Sequence, residues 1–295
     1  MFRHFLDIAD YEKETLVEIL EQALSLKKKQ KDGQVLSYFQ GKTLGLLFDK
    51  PSLRTKVSFE VGMHQLGGNA IQFLPQEVGM GSRESIEDVA RVLSRFVDQI
   101  VIRTFSHQEL LKFAANATVP VINGLTDTSH PCQALSDALT IYETFGEFNL
   151  KMAYIGDGNN VCRSLIEMAF KLGIDITVSC PDGFFPDTPF PFIKESNPIQ
   201  AVKQAQVVYT DVWISMGQEE QALKRKKQFS AYTVTQDMMA IAHKEAIFMH
   251  CLPAHRGEEV SNEVLESYQS KVFDQAENRL HAQKALMLFL SPHGY

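Results

Sequence analysis

The sequence predicts an α/β protein of two domains, each a parallel sheet flanked by helices, with the active site in the cleft between them. Three observations carry that reading. Short apolar runs rich in β-branched residues recur along the chain, as buried parallel strands require. Amphipathic stretches with helical spacing fill the intervals. Polar turns follow the strand ends, where open α/β sheets bind ligands.

Taken in order, Tyr11–Lys29 has leucines at helical spacing behind a capping acid, Asp10. Thr43–Phe48 reads as a strand, and Val57–Leu66 as the helix opened by the Lys50–Lys56 turn. Strands follow at Ala70–Leu74, Gln99–Arg103 and Val119–Ile122. Between them, Glu84–Phe96 keeps Ile86, Val89, Val92, Leu93 and Phe96 on one side. Helix Ala134–Phe145 ends at a break near Gly146–Asn149, where a second strand series starts. That series is Met152–Ile155, Ile174–Ser179, Val207–Tyr209, Ile247–His250 and Lys271–Phe273, with helix Val161–Leu172 inside it and Ala276–Leu290 after it. The domains are therefore expected at 1–145 and 146–275, with the last helix, about 276–295, packing back on the first.

The 295 residues suit two cores rather than one. Net charge is 29 − 36 = −7, which disfavours nucleic acid as a partner. The basic runs Lys27–Lys31 and Lys224–Lys227 read as solvated helix faces. Cys132, Cys162, Cys180 and Cys251 form no CxxC pair and no zinc spacing. The N-terminus has no apolar core of a signal peptide, and no run is long enough to span a membrane. A reduced, cytoplasmic setting is expected, with no membrane partner.

The most informative stretch is Lys50-Pro-Ser-Leu-Arg-Thr-Lys56, between a strand end and a helix start. The N–H groups of a helix's first turn lack internal partners and the dipole is positive there, so the turn suits an oxyanion. Arg54 adds a planar fork, and Ser52 and Thr55 add hydroxyls. Taken alone, such a turn is more often a plain N-cap; further polar turns of the same kind shift the balance. Arg103 ends the third strand, and His130-Pro131-Cys132-Gln133 follows the fourth. Pro131 suits the first helical position and puts His130 at the positive helix end, which favours neutral imidazole. Gln133 can present an amide to the same ligand. Gly156-Asp157-Gly158 follows the fifth strand and has Asp182 downstream, but Val161 stands where a dinucleotide fingerprint needs its third glycine. Asn160 suits an amino-acid carboxylate or amine. Asp211 and the Ser215-Met216-Gly217 turn can hold an amine and a carboxylate, and Cys251 and Leu252 follow strand Ile247–His250.

Together these residues resemble the aspartate/ornithine carbamoyltransferase family over nearly the whole chain. The amino-acid-side motifs Asp211–Gly217 and His250-Cys251-Leu252-Pro253 resemble its ornithine branch. The resemblance implies carbamoyl transfer from carbamoyl phosphate to the δ-amino group of L-ornithine, giving L-citrulline and phosphate. It implies that Ser52, Leu53, Arg54 and Thr55 hold phosphate. Arg103, His130, Pro131, Cys132, Gln133, Cys251, Leu252 and Arg279 complete the carbamoyl phosphate side, and Asn160, Asp211, Ser215 and Met216 hold ornithine. The catalytic set it implies is Arg103, His130, Asp211 and Cys251. It implies a homotrimer and no metal or organic cofactor.

Two departures from the family pattern stand out. Gly79, in Glu77–Glu84, occupies the position of a Gln or His that crosses to a neighbouring subunit's site, and Pro181–Pro198 is too short for the usual helix and edge strand. The competing readings are a carbamoyltransferase for N-acetylornithine, putrescine or another amine, a non-catalytic relative, and an NAD(P)-dependent oxidoreductase.

Overall fold

The computed structural model describes residues 4–214 and 222–291. The chain forms two compact units: one runs to Leu139 and resumes at Asn278, and the other is Thr140–Glu277. Both boundaries fall inside helices.

The first unit contains α1 (Lys13–Lys31), β1 (Thr43–Phe48), α2 (Leu53–Gln65), β2 (Asn69–Phe73), α3 (Pro75–Val78), α4 (Ile86–Leu93), β3 (Gln99–Arg103), α5 (His107–Asn116), β4 (Val121–Leu125) and the start of α6 (Pro131–Phe145). Its sheet is parallel with strand order β2-β1-β3-β4. β3 is buried at all five positions, as a central strand covered on both faces must be. A register shift at Ile102/Arg103 brings Arg103 opposite Leu125. Such irregularities re-aim side chains at strand ends. One core packs α4 and α5 on this sheet through Val89, Leu93, Leu110, Phe113, Ile100 and Ile102.

The second unit contains the rest of α6, then β5 (Lys151–Ile155), α7 (Asn160–Leu172), β6 (Asp175–Ser179), β7 (Ile193–Lys194), α8 (Pro198–Val202), β8 (Val207–Thr210), α9 (Ala222–Phe229), α10 (Gln236–Ile241), β9 (Ile247–His250), α11 (Asn262–Leu265) and the first turns of α12 (Val272–Phe289). Its parallel sheet has the order β7-β6-β5-β8-β9. The shortened segment therefore does keep an edge strand, reduced to two residues that pair with Thr177 and Val178. The remainder of α12 belongs to the first unit, where Gln99 Nε2 donates to Met287 O and the buried Lys284 donates to Gln30 and Gln65.

Several expectations are corrected. Lys271–Phe273 opens a helix instead of forming a strand: the N–H of Lys271 still bonds the Phe248 carbonyl, but the next residue already starts α12. Asp10 does not cap α1, whose N-cap is Glu12; the Asp10 carboxylate accepts from Asp7 N instead. The basic runs are not simply solvated. Lys27 is buried and donates to Asn278 Oδ1 at 2.8 Å, and Arg225 is buried against Asp157 at 2.8 Å.

Candidate active site

The phosphate-type turn folds as its residue types dictate. Ser52 is the N-cap of α2, and its Oγ accepts from Thr55 N at 3.3 Å. The helix thus begins at Leu53, four residues before the amphipathic pattern does, so Leu53, Arg54 and Thr55 are its first turn. Leu53 lies outward and three-quarters exposed, Arg54 is half-buried, and Thr55 is buried. Lys50 is also buried, ion-paired with Asp127 and set over the Phe105 ring at 4.0 Å.

Around this turn the same unit gathers Arg103, His130, Gln133 and Arg279, all buried. Arg279, from α12, donates to Thr55 Oγ1 and to Gln133 Oε1, both at 2.7 Å. His130 precedes the first turn of α6, and its carbonyl accepts from Gln133 N and Ala134 N. Its pKa lies well below the ordinary value, first through burial and then through Arg279, Arg103 and Arg54. The imidazole is therefore neutral, as its place at the helix end led one to expect, with burial and three guanidiniums as the causes. Cys132 stands apart: its thiol is buried and donates to Asn123 O at 3.2 Å, and burial raises its pKa to about 12.

The second unit builds its own cluster at the ends of β5, β8 and β9. Asp211 is buried, and its carboxylate accepts from Asn159 Nδ2 at 2.7 Å, Val212 N at 2.8 Å and the Cys251 thiol at 2.9 Å. Asn159 is also the N-cap of α7, its Oδ1 accepting from Val161 N and Cys162 N. Asn160 follows it in the first turn, half-buried. His250 is fully buried between Glu259 Oε1, 3.1 Å from Nε2, and the N–H of Leu252, 2.9 Å from Nδ1. An N–H donor at Nδ1 requires that nitrogen to be an acceptor, so the proton of a neutral ring sits on Nε2 and faces Glu259. Leu252 has a positive φ of 56° and precedes a cis Pro253. Ser215 and Met216 lie outside the described residues.

The dinucleotide reading of Gly156–Gly158 fails on packing. A Cβ at Gly158 would lie 2.3 Å from Phe184 O and 2.5 Å from Pro186 N. The close approach that this glycine permits is to the chain's own 184–186 segment. Asp157 in the same turn is ion-paired with Arg225, and burial raises its pKa to about 6 against the pull of that guanidinium.

The chain is similar to known proteins along nearly its whole length. A family model for the "Aspartate/ornithine carbamoyltransferase, carbamoyl-P binding domain" covers residues 3–143. One for the "Asp/Orn binding domain" of the same family covers 148–290. The chain belongs to the aspartate/ornithine carbamoyltransferase family. It is 50% identical to the ornithine carbamoyltransferase of Symbiobacterium thermophilum, over 98% of this chain and 97% of that one. It is 48% identical to the anabolic ornithine carbamoyltransferase of Pyrococcus furiosus, over 97% and 95%. The solved ornithine carbamoyltransferase of P. furiosus superposes with a TM-score of 0.94 at 47% identity, covering 98% of this chain and 97% of that one. The anabolic enzyme of Campylobacter jejuni gives 0.92 at 34% identity, with 99% of both chains covered.

In the second unit's cluster, two groups escape the reading of the sequence. Asn159 is given no role there, although Asn before an apolar helix is a cap signal. Glu259 lies in an ordinary acidic run, and nothing local marks it as the buried partner of His250. Asp211, His250 and Cys251 place one metal-capable atom each within 4.8 Å, as do His255, Glu258 and Glu259. In the first trio both Asp211 oxygens and both His250 nitrogens already have partners, so a cation there would compete with those bonds.

Proposed function

We infer that the chain transfers the carbamoyl group of carbamoyl phosphate to the δ-amino group of L-ornithine, releasing L-citrulline and phosphate. Identity near 50% to ornithine carbamoyltransferases over nearly the full chain carries this reading. The first unit takes carbamoyl phosphate and the second takes ornithine.

The roles follow from chemistry. Phosphate sits at the first turn of α2, held by the N–H groups of Leu53, Arg54 and Thr55, the Ser52 and Thr55 hydroxyls and the Arg54 guanidinium. Arg103, Arg279 and the neutral His130 face the carbamoyl group, where negative charge develops on the carbonyl oxygen as the amine adds. Pro131 and Gln133 shape that wall. Ornithine's δ-amine has a lysine-like pKa of ~10.4 in water and must be neutral to attack. Asp211 orients it, and the Cys251 sulfur accepts a hydrogen bond from the amine while its own S–H donates to Asp211 Oδ1. Asn160, Ser215 and Met216 bind the amino-acid end, and Leu252 walls the reacting amine. Collapse of the tetrahedral adduct breaks the carbamoyl C–O bond and expels phosphate into the α2 cradle, and the surplus proton of the attacking nitrogen leaves on that phosphate. No step calls for a cofactor.

A homotrimer is the assembly we propose. Leu53, Val57 and Val61 form an exposed apolar stripe at helical spacing on α2, next to the phosphate turn, which suits a subunit contact. Among the described residues no helix is long and apolar enough to cross a membrane, and a cytoplasmic location is proposed with it.

The test is citrulline formation by purified protein with carbamoyl phosphate and L-ornithine, run beside N-acetylornithine, putrescine and L-aspartate. Turnover with ornithine alone is expected; turnover with another amine alone overturns the ornithine assignment. Arg54→Ala should lower kcat/KM roughly 100-fold or more, through loss of a charge-assisted contact. Near-normal turnover in that variant would sink the role given to Arg54.

A further inference from the structure

Asp137 lies two helical turns into α6 and is fully buried. Its Oδ1 accepts the amide N–H of Gln133, one turn earlier, at 2.8 Å. Gln133 Oε1 accepts from Arg279 Nη1 at 2.7 Å, and Arg279 Nη2 donates to Thr55 Oγ1 at 2.7 Å. These bonds form one polar line from a buried carboxylate to the phosphate turn. Its direction is dictated by chemistry. A guanidinium has donors and no acceptor, so the Gln133 oxygen must face Arg279 and its NH₂ must face Asp137. Thr55 Oγ1 accepts from Arg279, so its hydroxyl proton is left to be donated elsewhere.

We propose that Asp137 is a positioning residue for carbamoyl transfer: it locks the Gln133 amide, which aims Arg279, which in turn makes Thr55 a donor toward the substrate oxygen. Without an acceptor at position 137 the amide of Gln133 is free to turn. A turned amide would set NH₂ against the guanidinium, two donors facing each other, and Arg279 would leave its place. Catalytic electrostatics depends on donors held in place before charge develops, so a buried group that touches no substrate can govern the rate. Gln133 thereby changes role, from a direct ligand to the link between Asp137 and Arg279.

This inference rests on the carbamoyl-transfer reading, and its test separates the two. Asp137→Leu fills a similar volume without an acceptor, and Asp137→Asn keeps one. In Asp137→Leu, kcat should fall roughly 100-fold, as for loss of a preorganised donor, with KM for ornithine within about threefold. Asp137→Asn should recover most of the rate. The decisive arm is Asp137→Leu in an Arg279→Ala background, where it should cost almost nothing further, because the relay acts only through Arg279. A full additional loss in that background, or normal kcat in a folded Asp137→Leu protein, overturns the relay. Should Asp137→Leu fail to fold, the Asp137→Asn and Asp137→Ser pair is compared in the same two backgrounds. Wild-type protein that makes no citrulline refutes the underlying activity instead, and its result is read before any variant's.

Discussion

Asn159 joins two functions that substitution can separate. Its Oδ1 caps α7, while its Nδ2 holds Asp211 Oδ2 at 2.7 Å. Asn159→Asp keeps the cap, since Asp is as good an N-cap as Asn. It also sets a second carboxylate against Asp211. At 2.7 Å two unit charges repel by about 6 kcal/mol at an effective dielectric of ~20. Side-chain rotation and shared proton uptake will absorb much of that. A residual cost of about 2 kcal/mol in orienting the amine corresponds to roughly a 30-fold loss in kcat/KM for ornithine. Asn159→Ala removes both bonds, so it should also cost stability: about 1 kcal/mol for the cap and about 1.5–3 kcal/mol for the bond to a charged group. The assay is initial rate against ornithine at saturating carbamoyl phosphate, paired with thermal unfolding of each variant. Expected are variants that are both destabilised and impaired: the Asp variant keeps the cap but loses the bond to Asp211 and adds repulsion, and the Ala variant loses the cap and that bond without the repulsion. An Asp variant with wild-type kcat/KM for ornithine would refute the claim that Asn159 sets the state of Asp211.

Three more predictions follow from the same geometry. Burial raises the Asp157 pKa from 3.8 to about 6, so the folded state holds a proton that the unfolded state has lost. That contribution, on the order of 3 kcal/mol, is present below pH ~4 and lost as pH rises through ~6; thermal melts of wild type against Asp157→Asn from pH 3 to 8 should show the gap shifting against wild type over that window and flat above it. Gly158→Ala should destabilise the second unit by more than about 2 kcal/mol, because a Cβ 2.3 Å from Phe184 O forces backbone to move; an unchanged unfolding midpoint in urea would contradict the packing. Glu259→Ala should cost about 1–3 kcal/mol by stranding the buried His250 Nε2–H, while Glu259→Gln, which keeps an acceptor, should recover most of it in the same denaturation experiment.

Much of the fold could be read because burial writes itself into residue type. β1, β3 and β9 match the expected runs to the residue, since each is apolar and enclosed on both faces. Errors occur where one interaction type imitates another. Lys271–Phe273 alternates like a strand yet starts α12, and one backbone bond to Phe248 is as near to the sheet as Lys271 comes. The Lys-rich runs look solvated, but Lys27 and Arg225 turn inward because Asn278 and Asp157 wait for them, far away in sequence.

The sequence alone determined the chemical inventory. The Ser52–Thr55 turn, the arginines, the His130-Pro131 helix start and the Asp211 and Cys251 strand ends are local features, and local rules of capping, dipole and strand polarity pick them out as candidates. Tertiary structure decided which groups answer to which. That Asp211 is held by Asn159 and Cys251, that His250 is tied to Glu259, and that Asp137 reaches Thr55 through Gln133 and Arg279 are consequences of chain closure over 40 to 224 residues of separation in the longest of these bonds. Such pairings leave no periodic trace, because each partner is brought near only when the sheet and covering helices of its own unit have packed.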